Sequence, residues 1–202
     1  MPGQGGSQAV RLPREERERR VLDTAAELFY ARGVHEVGMD ELVRATGLGK
    51  ATVYRLFPTK DALVGAYLER LSASILAAID ADIDAHRDDP AAAVRAIFAA
   101  IAGDIARPSF RGCAFNNASM EFDDPEHPAR VAARAYRSAL HDRLTALAGP
   151  LTGAHLALVI DGLYTNAAHL GPDGPAARVP ALVDLLLARE GTGASVRVDS
   201  GE

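Results

Sequence analysis

The chain has a single cysteine, no tryptophan, and no uninterrupted apolar run long enough to cross a bilayer. The one cysteine, Cys113, excludes an internal disulfide and is typical of a reducing cytoplasm. Residues 1–8 lack the hydrophobic segment of a secretory signal, and we interpret residues 1–12 as a disordered leader. These absences favour a cytoplasmic protein that has no membrane partner.

The sequence also lacks the patterns that accompany catalysis. We find no nucleophile–base pair, no metal-ligand spacing and no phosphate-binding loop, so we expect no enzymatic activity and no cofactor. One acidic run has candidate metal ligands, namely Glu121, Asp123, Asp124, Glu126 and His127. Its spacing matches no known ligand pattern, so a solvated capping loop is the preferred interpretation.

Charge is distributed unevenly along the chain. The net charge is −5, but residues 1–60 contain ten Lys and Arg against eight Asp and Glu. Residues 61–202 contain the other twelve basic residues against nineteen acidic ones. A mildly basic first part on an acidic body is consistent with a small DNA-reading head attached to a body that does not bind DNA.

Apolar residues recur at helical spacing throughout, and no convincing strand pattern is present, so the fold class is predicted to be all-α. We predict three helices in a head and six in a body. Their expected ranges are 14–32, 39–46, 50–57, 60–81, 90–107, 113–121, 128–148, 155–170 and 177–189. Thr59 and Asp89 are predicted N-caps, as is Thr152 after a break at Gly149-Pro150.

The segment 47–60 reads as a turn, a short helix, a proline stop and the start of another helix. Val53 and Phe57 lie four residues apart, so they share a face that can be buried. The remaining side chains are of the kind that contact phosphates and base edges; they are Lys50, Thr52, Tyr54 and Arg55. A helix this short must be held by its neighbours, which suggests a helix-turn-helix DNA reader.

The first fifty or so residues after the leader resemble the DNA-binding domain of the TetR family of transcriptional regulators. The matching positions are Val21-Leu22-Asp23-Thr24-Ala25, Leu28-Phe29, Gly33, Asp40-Glu41-Leu42, Gly47, Tyr54, Phe57, Lys60 and Leu63. The match is ordered and ungapped, and it covers about a quarter of the chain. The sequence departs from the family at Gly38 and Gly49, where Ser or Thr is usual, and at Val43 and Leu56.

The resemblance implies that Tyr54 contacts backbone phosphate, with a half-buried packing role as the alternative. Lys60, at a helix N-terminus, is a second phosphate candidate or else a solvated lysine. Arg44 is a phosphate candidate in the positioning helix. The candidates for reading bases are Lys50, Ala51, Thr52 and Arg55. Arg11, Arg14 and Arg17 form either a DNA-contacting arm or an ordinary solvated helix start.

The body contains polar groups on otherwise apolar helices, which predicts a mostly apolar effector pocket with a few polar anchors. The candidates for contact with the effector are Phe98, Ile101, Cys113, Asn116, Asn117, Met120, Asp161 and Tyr164. The alternatives are plain core packing for Phe98 and Met120, and a cap or interface hydrogen bond for Asp161. Cys113 is either a core cysteine, which we prefer, or a redox sensor.

The last two predicted helices are more apolar than one side of a monomer can bury. We therefore expect a homodimer interface that includes Leu156, Val159, Ile160, Leu163, Leu182 and Leu186. The predicted organisation is a leader (1–12), a DNA-binding domain (13–59), an effector-binding and dimerisation domain (60–190) and a flexible tail (191–202). The expected function is a dimeric repressor that binds a palindromic DNA operator and is released by a small-molecule effector. The alternatives are a helical small-molecule-binding protein and a regulator controlled by a protein partner.

Overall fold

The computed structural model describes residues 12–190, and every regular element in that range is helical, as predicted. The predicted leader (except Leu12) and the predicted tail lie outside the described residues. The helices are α1 Arg14–Arg32, α2 Met39–Thr46, α3 Lys50–Leu56, α4 Lys60–Ala85, α5 Pro90–Ile105, α6 Ala114–Ser119, α7 Pro128–Leu170 and α8 Val179–Glu190. A 3₁₀ turn, Pro175–Arg178, precedes α8.

Helices α1, α2 and α3 share a small core. Val21 of α1, Leu42 of α2 and Val53 of α3 are completely buried, and Phe57 directly after α3 is 6% exposed. The predicted shared face of Val53 and Phe57 is therefore confirmed. Gly47 ends α2 in the left-handed region at φ 65°, where a residue with a Cβ is strained, and the chain turns there into α3.

Two of the three predicted caps are present. The Thr59 hydroxyl accepts a hydrogen bond from the Ala62 amide at 3.1 Å, and the Asp89 carboxylate accepts one from the Ala92 amide at 2.9 Å. Each side chain satisfies an amide that has no partner within its own helix. These caps set the starts of α4 and α5.

Helix α7 is sharply bent at Ala148 and Gly149, whose backbone angles leave the helical region. The predicted break at Gly149-Pro150 is therefore confirmed, and it divides α7 into a first arm (128–147) and a second arm (150–170). The predicted cap at Thr152 is wrong. Because the second arm already begins at Pro150, Thr152 lies inside it and is 6% exposed.

The two arms of α7 fold back on each other with very little space between them. A Cβ at Gly153 would lie 2.6 Å from the Thr145 Cα and 2.7 Å from the Thr145 backbone nitrogen. Only glycine fits so close to another backbone. Farther from the bend, Arg137 of the first arm pairs with Asp161 of the second. The arms are therefore antiparallel neighbours.

Helices α4 and α7 are long and apolar enough to cross a membrane by length and composition alone. Both carry charged residues that make ion pairs within the body. Arg143 of α7, for example, binds Asp80 of α4 with its Nε 2.6 Å from the Asp80 Oδ1. The two helices also pack against each other and against α5. We therefore interpret them as the packing centre of the body.

Candidate nucleic-acid interface and body cavity

Helix α3 is held by its buried face and presents its opposite face to solvent. Val53 is buried beneath it, while Lys50, Ala51 and Arg55 are exposed and Thr52 and Tyr54 are half-buried. The residues predicted to read bases thus share the accessible side of one short helix. Gly49 precedes α3 in extended conformation and supplies no side-chain cap, so the hydroxyl usual at this position in the family is absent.

Lys50 has partners within the protein. Its Nζ lies 2.8 Å from the Asp40 Oδ1 of α2 and 5.6 Å from the centre of the Tyr54 ring. The hydrogen bond from Lys50 lowers the pKa of the Asp40 carboxyl and raises that of the lysine. This contact uses one of the three donors of the Lys50 ammonium group.

The other predicted DNA contacts flank α3. Arg44 on α2 is exposed, and Lys60 is the first residue of α4, where it is half-buried. Arg14 is exposed at the start of α1, and the Arg17 side chain bends back to the Pro13 carbonyl at 3.4 Å. Arg11, the third residue of the predicted arm, lies outside the described residues.

The body contains a cavity of about 760 Å³ that is partly open to solvent. Its walls come from α1, α4, α5, α6, both arms of α7 and the segment between α5 and α6. Four of the predicted effector contacts line it: Ile101, Cys113, Asp161 and Tyr164. A cavity of this size, mostly apolar with a few polar groups, is suited to a small organic ligand.

The other four predicted effector contacts do not line this cavity. Phe98 is 5% exposed and packs in the core, and Met120 is 78% exposed at the surface. Asn116 accepts a hydrogen bond from Arg137, and Asn117 donates one to the Arg111 carbonyl at 2.9 Å. Helix α6 is only six residues long, and the side of it that carries these residues is turned away from the cavity.

Several cavity residues were not predicted, and five of them are tyrosine or phenylalanine. They include Tyr30, Tyr67, Phe110, Phe115, Tyr136 and Arg137. Tyr67 recurs at helical spacing with the apolar residues Leu63 and Leu71 of α4, a pattern that favours the core over a ligand contact. Ile160, which was predicted to lie in the dimer interface, also lines the cavity.

Burial raises the pKa of every cavity phenol and of the thiol. The pKa of Tyr67 rises to about 12, and those of Tyr136 and Tyr164 also rise because their charged forms are desolvated. Burial likewise raises the pKa of Cys113. Since the thiolate is the reactive form, this environment does not activate Cys113.

A second set of contacts joins α1 to the segment around α6. The Tyr30 hydroxyl accepts a hydrogen bond from the Arg111 amide at 2.7 Å and donates one to the Gly112 carbonyl at 3.1 Å. The Glu121 carboxylate accepts hydrogen bonds from the amides of Val34 and His35 at 2.7 and 2.6 Å. We predicted a solvated capping loop at this position. Glu121 is instead a structural acceptor. Through these contacts the cavity wall is connected to the end of α1.

The predicted dimer residues lie on two different sides of the protomer. Leu156, Ile160 and Leu163 are buried inside it, at most 5% exposed, so they offer no surface to a partner. Their assignment to the interface is therefore wrong. Val159 and Leu186 are half-buried and Leu182 is 41% exposed. The most exposed leucines of the same helices are Leu151, Leu158, Leu170 and Leu185.

Known proteins match both parts of the chain. A family model described as "Bacterial regulatory proteins, tetR family" matches residues 21–67. The crystal structure of SCO4454, a TetR-family transcriptional regulator from Streptomyces coelicolor, superposes with a TM-score of 0.82 at 34% identity and covers 87% of this chain and 96% of its own. The chain belongs to the TetR family. It is accordingly a DNA-binding transcriptional regulator and not an enzyme.

Further TetR-family relatives are similar over part or most of the chain. A regulator from Streptomyces avermitilis has a TM-score of 0.74 at 28% identity and covers 86% of this chain and 97% of its own. The HTH-type transcriptional activator FasR of Mycolicibacterium smegmatis is 41% identical over 69 residues, which are 34% of this chain. That match spans 32% of the length of FasR.

Proposed function

We propose that this protein is a dimeric repressor that binds a palindromic operator through α3 and is released from it by a small organic molecule in the body cavity. The observation that carries the proposal is the cavity of about 760 Å³. It lies in the same protomer as an exposed, polar reading helix, and α1 contributes both to its wall and to the core that supports α3. The site of action is the cytoplasm.

In this proposal residues 13–59 form the DNA-binding domain and residues 60–190 the effector-binding and dimerisation domain. Lys50, Ala51, Thr52 and Arg55 face the bases, and Tyr54, Arg44 and Lys60 contact phosphates. One short helix makes too few contacts for specific affinity, and a dimer places two such helices in successive major grooves. A palindromic operator follows from the two-fold symmetry of the dimer.

The proposed dimer surface is the exposed apolar side of the second arm of α7 together with α8. Leu151 and Leu158 of α7 are 67% and 69% exposed, and Leu182 and Leu185 of α8 are 41% and 61% exposed. Val159 and Leu186 lie at the edge of this surface. By resemblance to the family, these two helices and their copies in the partner form a four-helix bundle.

Release by the effector requires that the ligand prefer one conformation of the protein over another. The contacts that can transmit the preference are those of Tyr30 with Arg111 and Gly112, because Tyr30 and Gly112 also line the cavity. A ligand that displaces this segment alters the position of α1, which supports α3. Helix α4 offers a second route, since Lys60 lies at the head and Ile75 at the cavity.

The proposal is tested by selecting duplexes from a random library with the purified protein and then challenging the selected complex with a panel of small molecules. We expect enriched sequences with two inverted half-sites, and release by some of the molecules. Ile101→Trp, which fills the cavity, should bind the same DNA but resist release. Enrichment of single, non-repeated sites, or equal release of the Trp variant, would contradict the proposal.

Activation of transcription is a second candidate output, because the relative FasR is named as a transcriptional activator. A reporter gene placed behind the selected operator separates the two. Repression predicts higher expression when the gene for this protein is deleted, and activation predicts lower expression. The rival in which a protein partner controls the regulator predicts a body without an internal cavity, so the cavity weighs against it.

A further inference from the structure

The charged groups around the cavity are unequal in number. Four carboxylates and two guanidinium groups line it, namely Glu27, Asp82, Asp104, Asp161, Arg107 and Arg137. Arg107 pairs with Asp104 and Arg137 with Asp161. Within residues 12–190, Glu27 and Asp82 make no ion pair. The lining therefore has two more carboxylates than guanidinium groups, and His141 also lines it. Of the two unpaired carboxylates, Glu27 is exposed and Asp82 is half-buried, and both disfavour an anionic ligand.

The cavity also contains phenol groups without protein partners. Tyr67 and Tyr136 are only 4% and 8% exposed. Among the described residues their hydroxyls have no hydrogen-bond partner, and the same is true of Tyr164. Tyr30, in contrast, uses its hydroxyl in the contact with Arg111 and Gly112. Since all three tyrosines line the cavity, their hydroxyls are free to bind a group of the ligand.

Aromatic rings form part of the remaining wall. Phe115 stacks on Tyr136 with ring centres 3.9 Å apart, and Phe110 stacks on Tyr164 with ring centres 6.0 Å apart. All four residues line the cavity. Such faces attract both flat apolar molecules and organic cations, because the ring face is electronegative.

We infer that the cavity binds an aromatic organic cation. Its ring system lies among the tyrosine and phenylalanine side chains, its N–H groups donate hydrogen bonds to the free phenol oxygens, and its charge offsets the excess of carboxylates. This inference rests on the proposed function, in which the cavity is the effector site, and it specifies the chemistry of the effector.

The test uses three probes of the same size and shape that differ in charge: 1-pyrenemethylamine, 1-pyrenemethanol and 1-pyrenecarboxylate. Binding to the DNA-free protein is measured at neutral pH through pyrene fluorescence. We expect the ammonium form of the amine to bind about tenfold more tightly than the alcohol, and the carboxylate to bind least.

A double variant, Glu27→Gln with Asp82→Asn, removes the unpaired carboxylates and should weaken binding of the amine about fivefold while leaving the alcohol unchanged. The matched control is Glu69→Gln with Asp84→Asn, which makes the same change of charge at exposed positions of α4 away from the cavity. Equal affinity for the three probes, preference for the alcohol or the carboxylate, equal loss in the control, or no binding at all would overturn the inference.

The same probes are then added to the protein–DNA complex. Binding of the amine without release of DNA would leave the ligand class intact and refute the proposed effector role. Release of DNA by uncharged molecules that bind the cavity, with no preference for the amine, would support the effector role and refute the ligand class.

Discussion

At the scale of single residues, Lys50 shows how a proposed DNA contact can have a partner in the free protein. Its bond to Asp40 is short, but both groups are exposed. An exposed ion pair contributes little stability because water competes for both charges. The pair therefore orients Lys50 beside Tyr54 without preventing its transfer to DNA.

The proposed phosphate contact of Tyr54 can be tested without loss of its ring. Tyr54→Phe should weaken DNA binding by about 1.5–3 kcal/mol, the usual contribution of a hydrogen bond to a charged group. The loss should be the same for the operator and for unrelated duplexes, because phosphate is present in every sequence. Fluorescence anisotropy with both duplexes measures it, and a loss confined to the operator would contradict the phosphate role.

Cys113 should react slowly with thiol reagents. Because burial raises the pKa of this thiol, the thiolate fraction stays small at pH 8 and grows only at higher pH. The rate with a disulfide reagent should therefore be well below that of the urea-unfolded protein at the same pH, and a cavity ligand should lower it further. Fast reaction of the folded protein at neutral pH would support a sensor role instead.

Where position on a helix determines position in space, the sequence selected residues that line the cavity, and their contact with an effector stays a prediction. Ile101, Asp161 and Tyr164 were predicted from polar or large side chains on apolar helices, and they line the cavity. The prediction failed around α6. That helix has under two turns, and its residues bind Arg111 and Arg137. Arg111 lies outside any periodic pattern, and Arg137 is 21 residues from its partner Asn116.

At the scale of elements, the bend of α7 depends on a close approach of two backbones. Gly153→Ala should destabilise the protein by about 1–3 kcal/mol, because the new methyl group overlaps Thr145. Gly162→Ala is the matched control, since it lies in the same arm with no atom within 4 Å of the new Cβ. The control should be neutral or slightly stabilising. Urea unfolding measures both, and equal effects would contradict the role of Gly153.

The proposed dimer surface is tested by placing a charge on it. Leu158→Asp should raise the dimer dissociation constant at least about hundredfold, because an unpaired carboxylate would be buried at the interface. Val131→Asp is the control, at an exposed apolar position on the first arm. Sedimentation velocity reports the populations. An unchanged dimer in the Leu158 variant would refute the surface.

Helix starts and breaks were predictable because their signals are local. Thr59, Asp89 and Gly149-Pro150 act on their immediate neighbours. The buried side of the second arm was not predictable in the same way. Leu156 and Leu158 are both apolar but point to opposite sides of one helix, and the sequence does not distinguish a core face from a partner face.

At the scale of the whole molecule, polar contacts between residues far apart in sequence join the head to the body. Glu121 binds two amides beyond the end of α1, 86 and 87 residues away in sequence. A sequence pattern shows helical period and capping, but it does not show which distant backbone a carboxylate will bind. The family and the architecture were therefore predictable, while the path between cavity and head was not.

We propose that α3 reads DNA through Lys50 and Arg55. The test is the fluorescence anisotropy of labelled DNA from upstream of this protein's own gene, measured over a range of salt concentrations. The wild type is compared with the double variant Lys50→Ala/Arg55→Ala. Arg87→Ala/Arg178→Ala is the control, since it removes two exposed charges outside the head. We expect tight, salt-dependent binding by the wild type and the control, and loss of specific binding in the α3 variant. Equal binding by all three proteins would contradict it.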